Sequence, residues 1–247
     1  MGEILAVSLN SPRIFPRASC LLVLLLAMGL TACGNDTSRT EGTRIAVDVA
    51  KGLKSRLFSG KKSPSSQSSA DPEALATIAL NSFPGPLIMA SIDSLGTVSA
   101  LGEFGRNGDT QTFSTAVQQT MTFRNGLLVG TRGLGHDLMS ANLGPADSLI
   151  RKRQAGTYKR VYRYLDGEAI ERPLPLSCNL AVGEASDFTF AGTRYSTVQL
   201  DETCKGTQLT VNNSYWVTRD GTIARSRQWI GQVIGYVTIN LLRSERI

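Results

Sequence analysis

Four Asx-Gly dipeptides, Asn107-Gly108, Asn125-Gly126, Asp166-Gly167 and Asp220-Gly221, constrain this chain more than any other feature. Each stands between extended segments of alternating polarity. Such a pair supplies the positive φ angles that a two-residue hairpin turn requires if its twist is to match that of the flanking strands. Repeated along one chain, the signal predicts an all-β, antiparallel body closed as a sandwich or an open barrel. The expected strands are 87–92, 98–104, 110–113, 120–123, 127–131, 157–165, 188–190, 195–202, 208–217, 223–230 and 233–242. One or two short helices precede them. The first is amphipathic, carrying Ile45, Val47, Val49, Leu53 and Leu57 with Lys51, Lys54 and Arg56 between them; the second starts at Asp71-Pro72 and runs to about 80. No internal repeat is visible.

The N-terminal segment sets the compartment. Arg13 and Arg17 precede an uncharged apolar run, which ends in Leu30-Thr31-Ala32-Cys33. A basic segment, a greasy stretch too short to span a bilayer comfortably, and small residues before a cysteine form a lipoprotein signal cleaved at that cysteine. Cys33 is therefore the expected lipidation site. Its thiol takes a diacylglyceryl group and its freed amine is acylated. Each acyl CH₂ contributes about 0.8 kcal/mol of membrane attachment, so several chains hold firmly where one holds marginally. Gly34 and Asn35 follow, without the Asp that retains enteric lipoproteins at the inner membrane, so an outer-membrane, periplasm-facing location is expected. The resulting organisation is a signal peptide over 1–32, a lipidated tether with its short helix and a Ser-rich linker over 33–71, and a single β-rich domain over 72–247.

About 215 residues remain after such cleavage, enough for a substantial core. The formal net charge of +6 is spread along the chain, which argues against a nucleic-acid footprint and suits a surface meeting anionic glycans or headgroups. Of the four cysteines, Cys20 lies in the signal and Cys33 carries lipid. Cys178 and Cys204 remain as an even pair in an oxidising compartment and are expected to form a disulfide. A metal site is the alternative, but the one histidine, His136, is far away in sequence, and neither metal nor cofactor is expected.

Two segments resemble the YjbF/GfcB family of outer-membrane lipoproteins. One is the run from Arg124-Asn125-Gly126-Leu127 through Thr131-Arg132-Gly133-Leu134-Gly135-His136-Asp137-Leu138. The other is Asn213-Ser214-Tyr215-Trp216-Val217 through Asp220-Gly221 to Ser226-Arg227-Gln228-Trp229-Ile230-Gly231. The lipobox and the cysteine pair agree with it. The resemblance implies an accessory role in production and export of exopolysaccharide or group 4 capsule, with a periplasmic protein and an outer-membrane barrel as partners and no assigned catalytic set.

Read chemically, Arg132 and Asp137 flank a glycine-rich turn and either pair with each other or face a ligand. The spacing matches neither a Walker motif nor a dinucleotide fingerprint. Tyr215, Trp216 and Trp229 sit on strands joined at Asp220-Gly221. There they serve as core or as a stacking platform for sugars, with Arg227 and Gln228 adding hydrogen bonds. The strand 157–165 places Tyr158, Arg160, Tyr162 and Tyr164 on one face, read either as a solvated outer strand or as a basic aromatic face for an anionic polysaccharide. No nucleophile elbow or triad pattern occurs, so no catalysis is expected. The competing reading is a polysaccharide hydrolase or lyase, in which a cleft near Arg132 and Asp137 holds sugar between two carboxylates.

Overall fold

The computed structural model describes residues 71–245. The signal, Cys33, the tether and the expected helix around 45–57 lie outside the described residues. Helix α1 (Pro72–Ser82) starts where expected: the Asp71 carboxylate accepts the Glu73 N–H at 3.1 Å and Pro72 occupies the first turn. A second helix, α2 (Ala146–Arg151), was not legible in the sequence.

Fourteen strands follow α1: β1 (Leu87–Ile92), β2 (Thr97–Asn107), β3 (Thr110–Ser114), β4 (Thr120–Arg124), β5 (Leu127–Arg132), β6 (Ser140–Asn142), β7 (Gly156–Leu165), β8 (Glu171–Ala185), β9 (Phe188–Phe190), β10 (Thr193–Tyr195), β11 (Val198–Lys205), β12 (Thr210–Val217), β13 (Ile223–Gly231) and β14 (Gly235–Arg243). Twelve form one antiparallel sheet in the order β5-β4-β3-β2-β1-β14-β13-β12-β11-β8-β7-β6, and β9 and β10 form a separate hairpin. The sheet curls until its two edge strands approach each other. Thr131 N–H donates to Leu138 O and Met139 N–H to Arg163 O, both at 2.9 Å, so the segment before β6 stitches the edges together at one end. The open barrel of the two expected architectures is the one formed.

Alternation decides which side chains enter. Phe113, Met121, Phe123, Leu176, Leu180, Leu200, Val211 and Val237 point inward into one continuous core. Between these positions Thr112, Thr122, Ser177, Asn179, Asp201 and Asn212 face outward. At the end of the barrel that holds the Asn125-Gly126 turn, Leu143 is buried together with Ala146 and Ile150 of α2. On the outside, Ala76 of α1 packs with Met89 and Phe190, and Ala79 packs with Phe83 and Leu87. Gly102 is required beneath Phe83, because a Cβ there would lie 2.6 Å from its ring. The Arg243 guanidinium donates to Phe83 O and, at 3.0 Å, to Leu80 O, satisfying carbonyls that the helix end leaves free.

The turns are more varied than the four dipeptides suggest. Asn125 and Gly126 have φ of 51° and 83° and join Arg124 directly to its partner Leu127, the expected two-residue hairpin. Asp166 and Asp220 instead cap wider loops with their carboxylates. Asp166 accepts from the N–H groups of Glu168 and Ile170, and Asp220 accepts from the hydroxyls of Thr218 and Thr222.

Candidate functional site

A buried polar network lies inside the barrel. Arg160 of β7 and Glu202 of β11 are 1% and 0% exposed, and Nη1 of the guanidinium donates to the two carboxylate oxygens at 2.9 and 2.6 Å. Glu202 also accepts from Tyr158 OH at 2.5 Å, Asn213 Nδ2 at 2.7 Å and Tyr215 OH at 3.0 Å. Burial, reinforced by the Glu202 charge, pushes the Tyr158 and Tyr215 hydroxyls well up, so both remain protonated donors. Burial opposes the Arg160 charge, but the oxygens of Tyr162, Glu202 and Tyr215 outweigh it and keep the guanidinium ionised.

This network corrects the reading of strand 157–165. The alternation is as expected, but the Tyr158, Arg160 and Tyr162 face is turned into the core, because Glu202 supplies the counter-charge there. Glu202 carries no pattern in the sequence that marks it as that partner.

Beside the network, Cys178 and Cys204 are register partners on β8 and β11 and form the expected disulfide, with S–S 2.03 Å. The two sulfurs and a Glu202 oxygen lie within 4.8 Å of one another. With the sulfurs bonded to each other and the carboxylate taken up by four side chains, the trio presents no free ligand set.

At the stitched end of the barrel, a cleft of about 700 Å³ opens between the glycine-rich loop after β5, the β7–β8 hairpin and the β13–β14 turn. Trp229, Tyr164, Met139 and Leu174 give it an apolar wall, and Asp137, Asp166 and Arg172 a polar one. Trp229 is 4% exposed and packs edge-on against Tyr162 and Tyr164 at 5.5 and 6.0 Å, so it is a wall of the core rather than an open platform. Exposed apolar side chains stand on the turns around this end: Leu95, Val117, Leu165, Ile170 and Val233.

Arg132 and Asp137 do not pair with each other among the described residues. Asp137 ties the loop together, accepting from Thr131 Oγ1 at 2.7 Å, Gly133 N at 2.9 Å and Leu134 N at 3.2 Å. Arg132 donates to the carbonyls of Leu138 and Met139 at 3.1 and 3.3 Å. Of the expected site residues that are described, Asp137 and Trp229 line the cleft.

The remaining candidates separate by face. Tyr215 and Gln228 are buried; Gln228 crosses to β5, accepting from Leu128 N at 2.9 Å and donating to Gly126 O at 3.1 Å. Trp216 and Arg227 are half-buried on the outside. The Trp216 Nε1–H donates to Ser186 Oγ at 3.2 Å, and the Arg227 guanidinium lies 3.7 Å over the Tyr236 ring. Arg225, which drew no attention in the sequence, stacks 3.9 Å over Phe188 and pins the β9–β10 hairpin to the barrel wall.

Comparison with known proteins agrees with this architecture. The crystal structure of the hypothetical lipoprotein YmcC from Escherichia coli K12 is similar at a TM-score of 0.60 and 16% identity, covering 75% of this chain and 100% of that one. A putative exported protein with a YmcC-like fold from Bacteroides fragilis matches at 9% identity and a TM-score of 0.27 over 64% of this chain and 93% of that one, too weakly to inform the fold. Comparison with curated protein sequences finds no match. The model of the family described as group 4 capsule polysaccharide lipoprotein GfcB, YjbF matches residues 51–242. That span takes in every strand but the last residue of β14, together with the buried network, the disulfide and the cleft, and the chain belongs to the group 4 capsule polysaccharide lipoprotein family.

Proposed function

We propose that this protein is an accessory factor in exopolysaccharide or capsule production and export, held by acylated Cys33 at the periplasmic face of the outer membrane and acting without chemistry of its own. The family match over 51–242 carries this reading. The Leu30-Thr31-Ala32-Cys33 motif supports the anchor. A barrel on a long tether raises the local concentration of its surface at the membrane, which favours docking to an export barrel or a periplasmic partner, or to the polysaccharide itself.

The chemistry of the cleft supports a non-catalytic role. A glycosidase acid needs a carboxyl group whose pKa is raised so that it carries a proton to the leaving oxygen. Asp166 is shifted the other way: the Ile170 N–H, followed by the Arg172 guanidinium, holds its carboxyl below the usual range. Asp137 spends its oxygens on the loop backbone and Thr131. Deleting the gene and measuring surface polysaccharide tests the role. Loss of polysaccharide, restored by the wild-type gene and not by Cys33→Ser, is expected; normal polysaccharide after deletion would overturn it.

A further inference from the structure

The outer face of β3, β4 and β5 is built almost entirely from hydroxyls and guanidinium groups. Register places Thr110 beside Arg124, Thr112 beside Thr122, and Ser114 beside Thr120; Gly130 and Arg132 then lie beside Thr122 and Thr120. The alternating positions Phe113, Met121 and Phe123 are buried, so all of these polar side chains share the outward face. Thr120, the β4 partner of Arg132, stands four residues from Arg124, a span along the strand of about 13 Å at the ordinary rise.

Between this face and β6 runs a groove of about 420 Å³, lined by Arg124, Arg132, Thr110, Thr122 and Ser140, with Gly130 in its floor. Among the described residues no carboxylate lines it. A side chain at position 130 would project into the space, starting with a Cβ 3.6 Å from the carbonyls of Leu138 and Met139. Arg132 is already oriented by carbonyl contacts at Leu138 and Met139. Arg124 differs: its Nε is enclosed and has no hydrogen-bond partner, and the guanidinium makes no ion pair among the described residues. The rest of the half-buried guanidinium lines the groove, where its charge is open to an anionic group brought in from outside.

We propose that this groove binds an acidic saccharide. Arg124 takes a carboxylate or phosphate group through its fork of donors, Arg132 takes a second anionic group along the chain, and the threonine and serine hydroxyls meet the sugar hydroxyls. Val129, Met139 and Ala141 supply short apolar contacts for ring C–H faces. The assignment rests on the reading of this protein as a polysaccharide accessory and names the surface that meets the polymer.

The test is isothermal titration of the full-length acylated protein in neutral detergent with tetragalacturonate, with its methyl ester, and separately with glycerol 1-phosphate, the soluble headgroup of phosphatidylglycerol. Saturable binding of tetragalacturonate that weakens about tenfold or more in Arg124→Gln and is lost with the methyl ester is expected. Gly130→Val, which keeps every charge and fills the groove, should weaken it as well, with thermal unfolding confirming that each variant is folded. Failure of the wild type to bind, or equal binding by Arg124→Gln and Gly130→Val, would overturn the proposal. Binding of glycerol 1-phosphate alone, lost in Arg124→Gln, would overturn the saccharide in favour of a lipid headgroup. The deletion phenotype is read separately, so a failed groove and a failed accessory role are told apart.

Discussion

Replacing Arg160 with Leu removes the cation from a carboxylate that is 0% exposed. Glu202 keeps three neutral donors, Tyr158, Asn213 and Tyr215, but loses two charge-assisted contacts at 2.6 and 2.9 Å. Breaking a buried pair by deleting one partner costs about 3–5 kcal/mol, because the stranded charge keeps its desolvation penalty. Against a domain stability of about 5–15 kcal/mol, that loss removes a large part of the margin. The double replacement Arg160→Leu/Glu202→Leu removes the penalty together with the attraction, so it should recover most of the loss. Urea unfolding followed by tryptophan fluorescence suits the measurement, since Trp229 packs on Tyr162 and Tyr162 lies under the Arg160 guanidinium at 5.1 Å. A single variant within about 1 kcal/mol of wild type would refute the buried-pair account. So would a double variant as unstable as the single one.

Three further outcomes follow from the same geometry. Replacing both Cys178 and Cys204 with Ala opens a loop of sequence separation 26 and should lower unfolding stability by about 3 kcal/mol on the chain-entropy model, read as a lower urea midpoint that reductant no longer shifts. Gly126→Ala should cost about 1–2 kcal/mol, because φ is 83° and the new Cβ would meet Ile223 Cδ1 at 3.0 Å; a neutral result would refute the primed turn. Three surface carboxyl groups are held below their ordinary range: Asp166 by the Ile170 N–H and then Arg172, Asp187 by the Ser196 hydroxyl and then Arg194, and Asp220 by the hydroxyls of Thr218 and Thr222. A depressed folded-state value contributes stability that is present above the unfolded value, about 3.9, and is lost as pH falls through the depressed one. Melting temperature should therefore fall on acidification below about pH 4, and Asp220→Asn should flatten that decline.

How far the sequence reveals the fold depends on whether the signal is local. Strands 87–92 and 188–190 are found at the expected bounds, and Asn125-Gly126 forms its hairpin, because alternation and turn chemistry are properties of neighbouring residues. The longest strand described, β8, carries Pro173 and Pro175, residues that a strand interior ordinarily excludes, so its alternation is not legible locally. They are tolerated because β11 pairs with β8 only from Ser177 onward, so the prolines lie where β7 alone is a neighbour. The segment 195–202 divides into β10 and β11 because Tyr195 joins the hairpin laid over Arg225 while Val198 joins the barrel.

The candidate site was legible only in part, for a related reason. Alternation told which residues share a face but not which face is buried. That depends on a partner distant in sequence: Glu202 for Arg160, and β5 for Gln228. Arg124 gave no signal as a ligand residue, since its unpaired state is a property of the groove rather than of its neighbours in the chain.

The account stands on acylation at Cys33, and metabolic labelling with radioactive palmitate followed by membrane flotation tests it most directly. The wild-type protein should carry label and float with outer membranes, and Cys33→Ser should carry none and partition into the aqueous fraction. An unlabelled wild-type protein recovered in the aqueous fraction would contradict it.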